Sequence, residues 1–464
     1  MKNSILAGAI AAAMLTTGWL RAQQPPPTPP QPPTTTQQPS EIGAAITVDG
    51  NGPPRLAVPD FIALSPDAET VAIAKILGQV LWDDLNFEHE FAFIPRDVYA
   101  SIPKATSFND VAFDRWRELN ADGLVIGTVQ KVDAGVKVEV RLLEVRTRRS
   151  VFGKEYTGAA SANPRRYAHL VSDDLHLTQR ALHGVAQTRL TFASDRDGER
   201  MKGTVQKRDV KEIYIADYDG ERQTRVTVNG TLNVFPRWSP DGRSIAYTSY
   251  GKGTPQILIS NIFQATREEV TKGNDENWLA AWSPDGTKLC IASPREGKGY
   301  TNLYVINRDG SGLRKLTNHP SINTSPTWSP SGTQIAFSSD RTGNPQVYVI
   351  GADGVGQAQR ITVSESYADK ATWSPAPYNE IAYTAKTGPG NDIKVIDMAT
   401  REVRQLTFGE GSNESPAFAP NGRHIAFTST RAGKKQIFTI ARTGKDLKQL
   451  TRSGNNEQPD WSAK

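Results

Sequence analysis

The spacing of hydrophobic and polar residues divides the chain in two. From Arg55 to about Gln187, strand-like and helix-like stretches alternate. "RLAVPDF" and "FAFIP" are short apolar runs, and between them Ile73, Ile76, Leu77, Val80 and Leu81 recur at helical spacing. Ser65 is placed to cap that helix, with Pro66 at its first position, where a missing N–H costs nothing. A second helix is expected over 109–120. "GLVIGTVQKV" and "VKVEVRLLEV" then flank the turn "DAG" as a hairpin, and "VFGKEYTG" adds a third strand. Asn163-Pro164 opens a last helix with Tyr167, Val171, Leu175 and Leu182 on one face. Residues 55–187 therefore predict a small α/β domain, a mixed sheet with helices.

Past Arg189 the helical spacing vanishes and a repeat takes over. Trp238, Trp282, Trp328, Trp373, Phe418 and Trp461 recur at intervals of 43–46 residues, the length of one four-stranded propeller blade. Each unit reads as an anchor strand, an "SPDG"-type turn, an "IAFTS"-type strand, a "QVYVI"-type strand, and a last strand ending in Thr (Thr227, Thr271, Thr317, Thr362, Thr407, Thr451). Proline presets the turn and glycine accepts its positive φ, so these motifs are geometry rather than chemistry. The last copy stops at "PDWSAK", with an anchor strand and nothing after it, whereas "RLTFASDRDG" has a second strand and no anchor before it. Paired, the two ends complete a sixth blade and hide two exposed sheet edges. Residues 188–464 thus predict a six-bladed β-propeller closed by strand sharing between its ends.

The N-terminal leader has a different character. Lys2 precedes the apolar run Ile5–Leu15, too short to span a bilayer, so residues 1–22 read as a secretory signal with cleavage expected near Ala22. Residues 23–40 are rich in proline and nearly uncharged, an extended semi-rigid spacer. Residues 41–54 follow as a separate segment holding a strand-prone octet. A formal net charge of +5, lowered when Lys2 and Arg21 leave with the signal, is too mild and too scattered for nucleic-acid binding. Cys290 is the single cysteine, so no intramolecular disulfide forms, and "KLCIAS" places it in an interior strand.

The order of signal, polar leader, α/β domain and six "WSPDG"-like repeats resembles the TolB family of the Tol–Pal system. "EIGAAITVDGNGPPRLAVPDF" and "WRELNADGLVIGTVQ" carry that resemblance more specifically than the repeats do. It implies a monomeric periplasmic interaction protein without cofactor, metal or catalytic residues. Its propeller would bind the lipoprotein Pal, its N-terminal segment would bind TolA, and together they would support outer-membrane invagination in cell division and outer-membrane integrity. The TolA-binding segment would be Glu41, Ile42, Gly43, Ala44, Ala45, Ile46, Thr47 and Val48. Such an octet suits strand addition to a partner's sheet, or docking on its own domain. Pal and TolA would read opposite states of it, linking the two events. The long proline-rich spacer and the joint "LHGVAQTRLTF" depart from the family's pattern.

The loops that lead into the anchor strands emerge on one face. Carried over from the family, "INTSPTW" supplies Asn323, Thr324 and Ser325 as Pal contacts, and "NDENWLAAW" supplies Glu276, Asn277 and Leu279. Trp278 is either a binding anchor or a lid packed on its own loop. Asparagine recurs five positions before the anchor aromatic, at Asn233, Asn277, Asn323, Asn413 and Asn456, with Ala368 the exception. Either the amide suits a tight loop entering a strand, or the amides ring the channel mouth and offer themselves to a docked loop.

An enzyme is the competing class, as a periplasmic propeller hydrolase or a lactonase-like protein with a channel metal near Asp369, Glu414 and Glu457. Against it, G-x-S-x-G, H-E-x-x-H, P-loop and dinucleotide fingerprints are all missing. The six histidines are scattered, and His169 and His176 read as helix surface.

Overall fold

The computed structural model describes the backbone of residues 34–36, and residues 45–46, 52–133, 135–158, 163–200, 209–297 and 299–464. All lie in one compact unit, Pro32–Lys464. The signal, most of the spacer, and Glu41, Ile42, Gly43, Ala44, Thr47 and Val48 fall outside the described residues.

The α/β domain runs β1 (Thr34–Thr36), β2 (Arg55–Ala57), β3 (Ile62–Ala63), α1 (Ala68–Phe87), β4 (Ala92–Phe93), α2 (Phe113–Glu118), β5 (Gly123–Val132), β6 (Gly135–Glu144), β7 (Ser150–Gly158) and α3 (Pro164–Arg180). Its sheet is ordered β1-β7-β6-β5-β2-β4, with β3 beside β5. Tight turns make β5, β6 and β7 antiparallel. The α1 crossover makes β2 and β4 parallel, and β2 is parallel to β5 as well, which gives the mixed sheet. The threonines closing the proline-rich run leave the spacer and pair with β7 as an edge strand.

Three local expectations change. Asp67, not Ser65, caps α1, because its carboxylate accepts from Thr70 N at 3.0 Å and Thr70 Oγ1 at 2.8 Å. Ile76, counted on the apolar face of α1, is exposed, while Ile73, Leu77, Val80 and Leu81 are buried. The second helix is only Phe113–Glu118, since Asp110 spends its carboxylate on the backbone N–H groups of Thr106 and Ser107 upstream.

Six four-stranded sheets follow. Blade 1 joins the C-terminal strand Asn456–Trp461 to Arg189–Ser194, Glu212–Asp217 and Thr224–Arg225, with Trp461 opposite Leu190 and Asp460 opposite Thr191. Blades 2 to 6 begin with inner strands Asn233–Trp238, Trp278–Trp282, Asn323–Trp328, Ala368–Trp373 and Asn413–Phe418. The inner strands neighbour one another around the ring, and Asn456–Trp461 touches both the first and the last of them, so closure by strand sharing is borne out. Turn glycines take the expected positive φ, 65° at Gly242 and 71° at Gly422. The anchor tryptophans also lock neighbours: Trp282 Nε1 donates to Arg237 O and Trp328 Nε1 to Ala281 O, each at 3.1 Å, and each acceptor lies in the preceding blade.

The α/β domain is clamped to blades 1 and 6. Phe87, Val185 and Ala186 share one apolar cluster with Leu190, Tyr218 and Trp461. Phe87 stacks on His424 with ring centroids 4.0 Å apart. Glu88, buried, meets Arg423 at 2.7 Å. Asp84 accepts from Tyr218 Oη at 2.7 Å and faces His169 Nδ1 at 2.7 Å. His169 and His176, expected on the helix surface, are both buried, His169 against Asp84 and Tyr218 and His176 beside Phe91. Burial opposes a charged His169, but Asp84 outweighs it, with help from Asp219 and Asp217, and holds the imidazole above its usual pKa.

Candidate binding site at the propeller mouth

The site is built from a defect repeated in every blade. Three residues before each anchor aromatic the inner strand bulges, breaking register with the second strand. The residue there is left-handed in all six blades and is never glycine: Phe235 (φ 55°), Leu279 (60°), Ser325 (50°), Lys370 (54°), Ser415 (55°) and Gln458 (59°). A left-handed non-glycine residue costs about 1–3 kcal/mol, so something must hold it. A hydroxyl from the preceding blade does so in four cases, accepting the bulged N–H: Thr248 for Leu279, Ser338 for Lys370, Thr384 for Ser415 and Thr428 for Gln458, at 3.0–3.2 Å. Gln458 Oε1 serves Phe235 at 2.8 Å.

The six bulged side chains line one axial pocket of about 180 Å³, joined by Thr324 and Asp369. One residue earlier on each strand stand Val234, Trp278, Thr324, Asp369, Glu414 and Glu457. These two rings make the mouth two-sided. Blades 2 to 4 contribute Phe235, Trp278, Leu279, Thr324 and Ser325, uncharged and partly buried. Blades 5, 6 and 1 contribute ion pairs: Lys370–Glu414 at 2.7 Å, Lys435–Glu457 at 2.6 Å and Lys211–Glu457. Burial pushes the Glu414 carboxyl up, but Lys370, Asn391 and Ser412 outweigh it and hold it at about 2. Glu457 is likewise held low against its burial by Lys211 and Lys435. The charged half is internally neutralised; the other half presents apolar surface and hydroxyls, and its lining charge, Arg237, is paired with Asp460 at 3.0 Å.

Of the residues expected to meet a partner, Thr324, Ser325 and Leu279 reach the pocket. Ser325 Oγ donates to Asp369 Oδ1 at 3.2 Å. Glu276 is exposed on the entering loop. Trp278 is half-buried opposite Ala292 and packs against the core shared by blades 3 and 4.

The amide ring does not line the mouth. Asn233, Asn323, Asn413 and Asn456 are 0 % exposed and Asn277 1 %. Each belongs to a polar cluster repeated around the disc. The Thr hydroxyl that ends each blade accepts a third-strand N–H and donates to Glu212, Gln256, Asn302, Gln346, Asp392 or Gln436. The Asn amide donates to the same acceptor in its own neighbourhood, as Asn233 does to Glu212 and Asn456 to Gln436, both at 2.8 Å. Its oxygen takes an arginine: Arg295 for Asn277 (2.5 Å), Arg341 for Asn323 and Arg431 for Asn413 (both 3.0 Å), and Arg196 for Asn456 (2.7 Å). The amides are thus engaged between neighbouring blades, with only the Asn233 oxygen left over, and they position the loops from behind.

Those arginines escaped the sequence reading, although a Ser-x-Arg after the second strand marks all four. Blade 2 has Ser249-Tyr250-Gly251 there, and Asn233 Oδ1 is correspondingly buried without a partner. Blade 5 has Ala385-Lys386-Thr387 and also lacks the asparagine, which accounts for Ala368. Each arginine also lies over blade aromatics, Arg341 at 4.6 Å from the Tyr348 ring. Arg341→Ala is expected to cost about 1–3 kcal/mol in urea unfolding, leaving a buried amide oxygen unpaired and removing a cation–π contact. A loss below about 0.5 kcal/mol would show that the clamp is idle.

Of the N-terminal octet, Ala45 is exposed and Ile46 is buried in the α/β core with Leu56 and Leu142. Its N–H donates to Gln179 Oε1 of α3 at 3.1 Å. Gly123 makes the room, since a Cβ there would lie 2.4 Å from Ile46 Cδ1. Among the described residues no group of three His, Cys, Asp or Glu is placed to hold a metal, and no helix is long and apolar enough to cross a membrane. Cys290 is buried and its thiol is pushed far up in pKa by burial.

A six-bladed ring clamped to a small α/β domain, with a hydroxyl-supported socket at its axis, defines a two-domain β-propeller protein. The comparisons with known proteins make this particular. Residues 44–151 match the TolB amino-terminal domain and residues 176–464 the TolB beta propeller domain. The chain belongs to the TolB family of the Tol–Pal system. It is 27% identical over 450 residues to the Tol-Pal system protein TolB of Bordetella pertussis, covering 96% of this chain and 97% of that one. With the TolB of Desulfosudis oleivorans it shares 33% identity over 267 residues, 56% of this chain and 57% of that one. The crystal structure of TolB from Acinetobacter baumannii has the same fold, with a TM-score of 0.75, 22% identity, and coverage of 89% of this chain and 98% of that one.

Proposed function

We propose that the chain is a non-enzymatic periplasmic scaffold of the Tol–Pal system, binding Pal at the propeller mouth and TolA through residues 41–48. The observation that carries the Pal half is the uncharged side of the socket. There Leu279, Thr324 and Ser325 are held at an open pocket by bulges that the protein maintains against backbone strain. A partner loop seated there meets apolar contact and hydroxyls without desolvating the ion pairs opposite. Glu276 flanks this side from the loop before the second anchor.

For the TolA half, the docked position of Ile46 supports a segment with two states, one folded onto its own domain and one released to add to a partner's sheet. Binding of TolA to the released state and of Pal to the propeller would then be linked, in service of outer-membrane invagination and integrity.

Thr324→Arg is expected to weaken Pal binding at least about tenfold in calorimetric titration, by filling the socket and placing a charge against its apolar side. Deleting residues 41–48 should abolish TolA binding and leave Pal binding intact. Unchanged Pal affinity in the arginine variant, or unchanged TolA affinity in the deletion, would refute the corresponding half.

A further inference from the structure

The parallel strands of the α/β sheet, β4-β2-β5, open at one end onto a cavity of about 540 Å³. In open sheets of parallel strands, the crevice outside the carboxyl ends is where diverging connections leave space for a ligand. Here the cavity lies past the carboxyl ends of β2 and β4 and alongside the first half of β5. β2 runs out through Pro59, Asp60 and Phe61, β4 runs out into the 3-10 turn Arg96–Ser101, and Leu124 and Ile126 of β5 form the floor. The volume is within the ~300–1,000 Å³ usual for small-ligand sites.

Two features shape the border of the hollow. A Cβ at Gly127 would sit 2.3 Å from the Phe61 ring, which packs with Val125, Val129 and α1 and edges the cavity from that side. Residues 103–112 roof the cavity without regular structure before α2 and are braced from within: Asp110 accepts from Thr106 N, Thr106 Oγ1, Ser107 N and Ser107 Oγ. The loop is thereby fixed in shape, while Ala105, Phe108, Val111 and Ala112 pack on the cluster of Ile102, Trp116, Leu124 and Ile126 that walls the cavity.

The lining is apolar inside and cationic at the rim. Val71, Ile102, Val111 and Trp116 join Phe61 in the wall, and Val71 is 50% exposed at the entrance. The Tyr99 hydroxyl is already committed, accepting from Val58 N and donating to Ile94 O, both at 3.0 Å. At the rim stand Lys75 and Lys104, both exposed. Arg96 is fixed beside them by the carbonyls of Val58 and Gly78 and by Asp60. Three cations thus face one carboxylate, and that carboxylate is already paired. An interior with no uncommitted hydroxyl to read a polar ligand, beneath a positive rim, fits a long apolar body with a single anionic end.

We propose that this cavity binds a free fatty acid, its alkyl chain along Phe61, Ile102 and Trp116 and its carboxylate at Lys75 and Lys104. The inference does not depend on the partner-binding reading of the propeller.

The test is a fluorescence titration of the lipid-stripped full chain with cis-parinaric acid, followed by displacement with palmitate or with lysophosphatidylcholine. Saturable one-site binding, displaced by palmitate well ahead of the zwitterionic lipid, is expected. Ala105→Trp, which fills the cavity from its half-buried roof, should abolish binding. The pair Lys75→Glu and Lys104→Glu, both on the surface and neutral to folding, should weaken it about tenfold by reversing two contacts at the rim. Absence of saturable binding below the micelle threshold overturns the proposal. So does equal displacement by the zwitterionic lipid, or affinity unchanged in the lysine pair.

Discussion

Removing residues 456–464 abolishes the propeller instead of shortening it. The segment supplies the inner strand of blade 1, paired to Arg189–Ser194, and places Trp461 in the cluster that joins propeller and α/β domain. Trp461 Nε1 donates to Thr188 Oγ1 at 2.7 Å, and Ser462 Oγ accepts from Arg189 N at 2.9 Å. Without it, one edge of Arg189–Ser194 and the flanks of two inner strands are bared, and an open disc with unpaired edges aggregates. The truncated chain should be recovered as soluble aggregate without a cooperative unfolding transition. Trp461→Ala, which keeps the strand, should fold with a loss of about 3–5 kcal/mol, read from urea unfolding. A truncated chain within about 1 kcal/mol of the parent would end the shared-blade account.

Glu88→Ala should separate the domains. Glu88 Oε2 meets Arg423 at 2.7 Å, while Oε1 accepts from Val185 N at 2.8 Å; Asn421 reaches the carboxylate at 3.2 Å. Truncation leaves the Arg423 guanidinium, only 14% exposed, without a counter-charge, a loss of about 3–5 kcal/mol. Calorimetry should show two transitions where the parent shows one, and proteases should gain access near residues 181–187. A single unchanged transition would mean that the apolar cluster alone holds the domains.

The same joint is expected to be acid-labile. Burial opposes the charged form of His424, which Glu88 only partly offsets, and its pKa falls to about 4. Its Nε2 pairs with Phe87 O at 3.0 Å, and Nδ1 is buried without a partner. With the folded value below the unfolded one near 6.5, the unfolded chain takes the proton first. Stability from this group is complete above about pH 6.5 and drains as pH falls toward 4, to a total of about 3 kcal/mol. Glu88, held below its usual value by Arg423 and His424 despite its burial, loses stability in the same direction. His169, held high, acts oppositely: its share is full below about pH 6.5 and fades as pH rises through its folded value. Urea midpoints measured from pH 7 to 4 should fall steeply for the parent and less steeply for His424→Gln. Equal slopes would remove His424 from the account.

Much of the architecture was legible because repeats print their geometry in register. The anchor aromatics, turn glycines and terminal threonines each do one local job per blade, so spacing alone disclosed the blade count and the shared closure. The octet around Ile46 and the loop carrying Thr324 were legible only through family resemblance. The asparagines misled, since an amide that recurs at a loop looks the same in a string of letters whether it faces solvent or an arginine behind it. The arginine that settles the matter lies 18 residues away in blade 4, as Arg341 does from Asn323.

By itself, then, the sequence determined the two-domain division, six blades, their joining at the chain ends, and the absence of familiar catalytic motifs, because these follow from periodicity and from what turns require. Only the tertiary structure decided that the amides are buried, that Trp278 packs on the core between two blades, that His169 lies beneath the propeller, and that the parallel strands open on an unfilled cavity. Each depends on which surfaces meet across tens or hundreds of residues, as Glu88 meets Arg423, and no local pattern of residues carries that information.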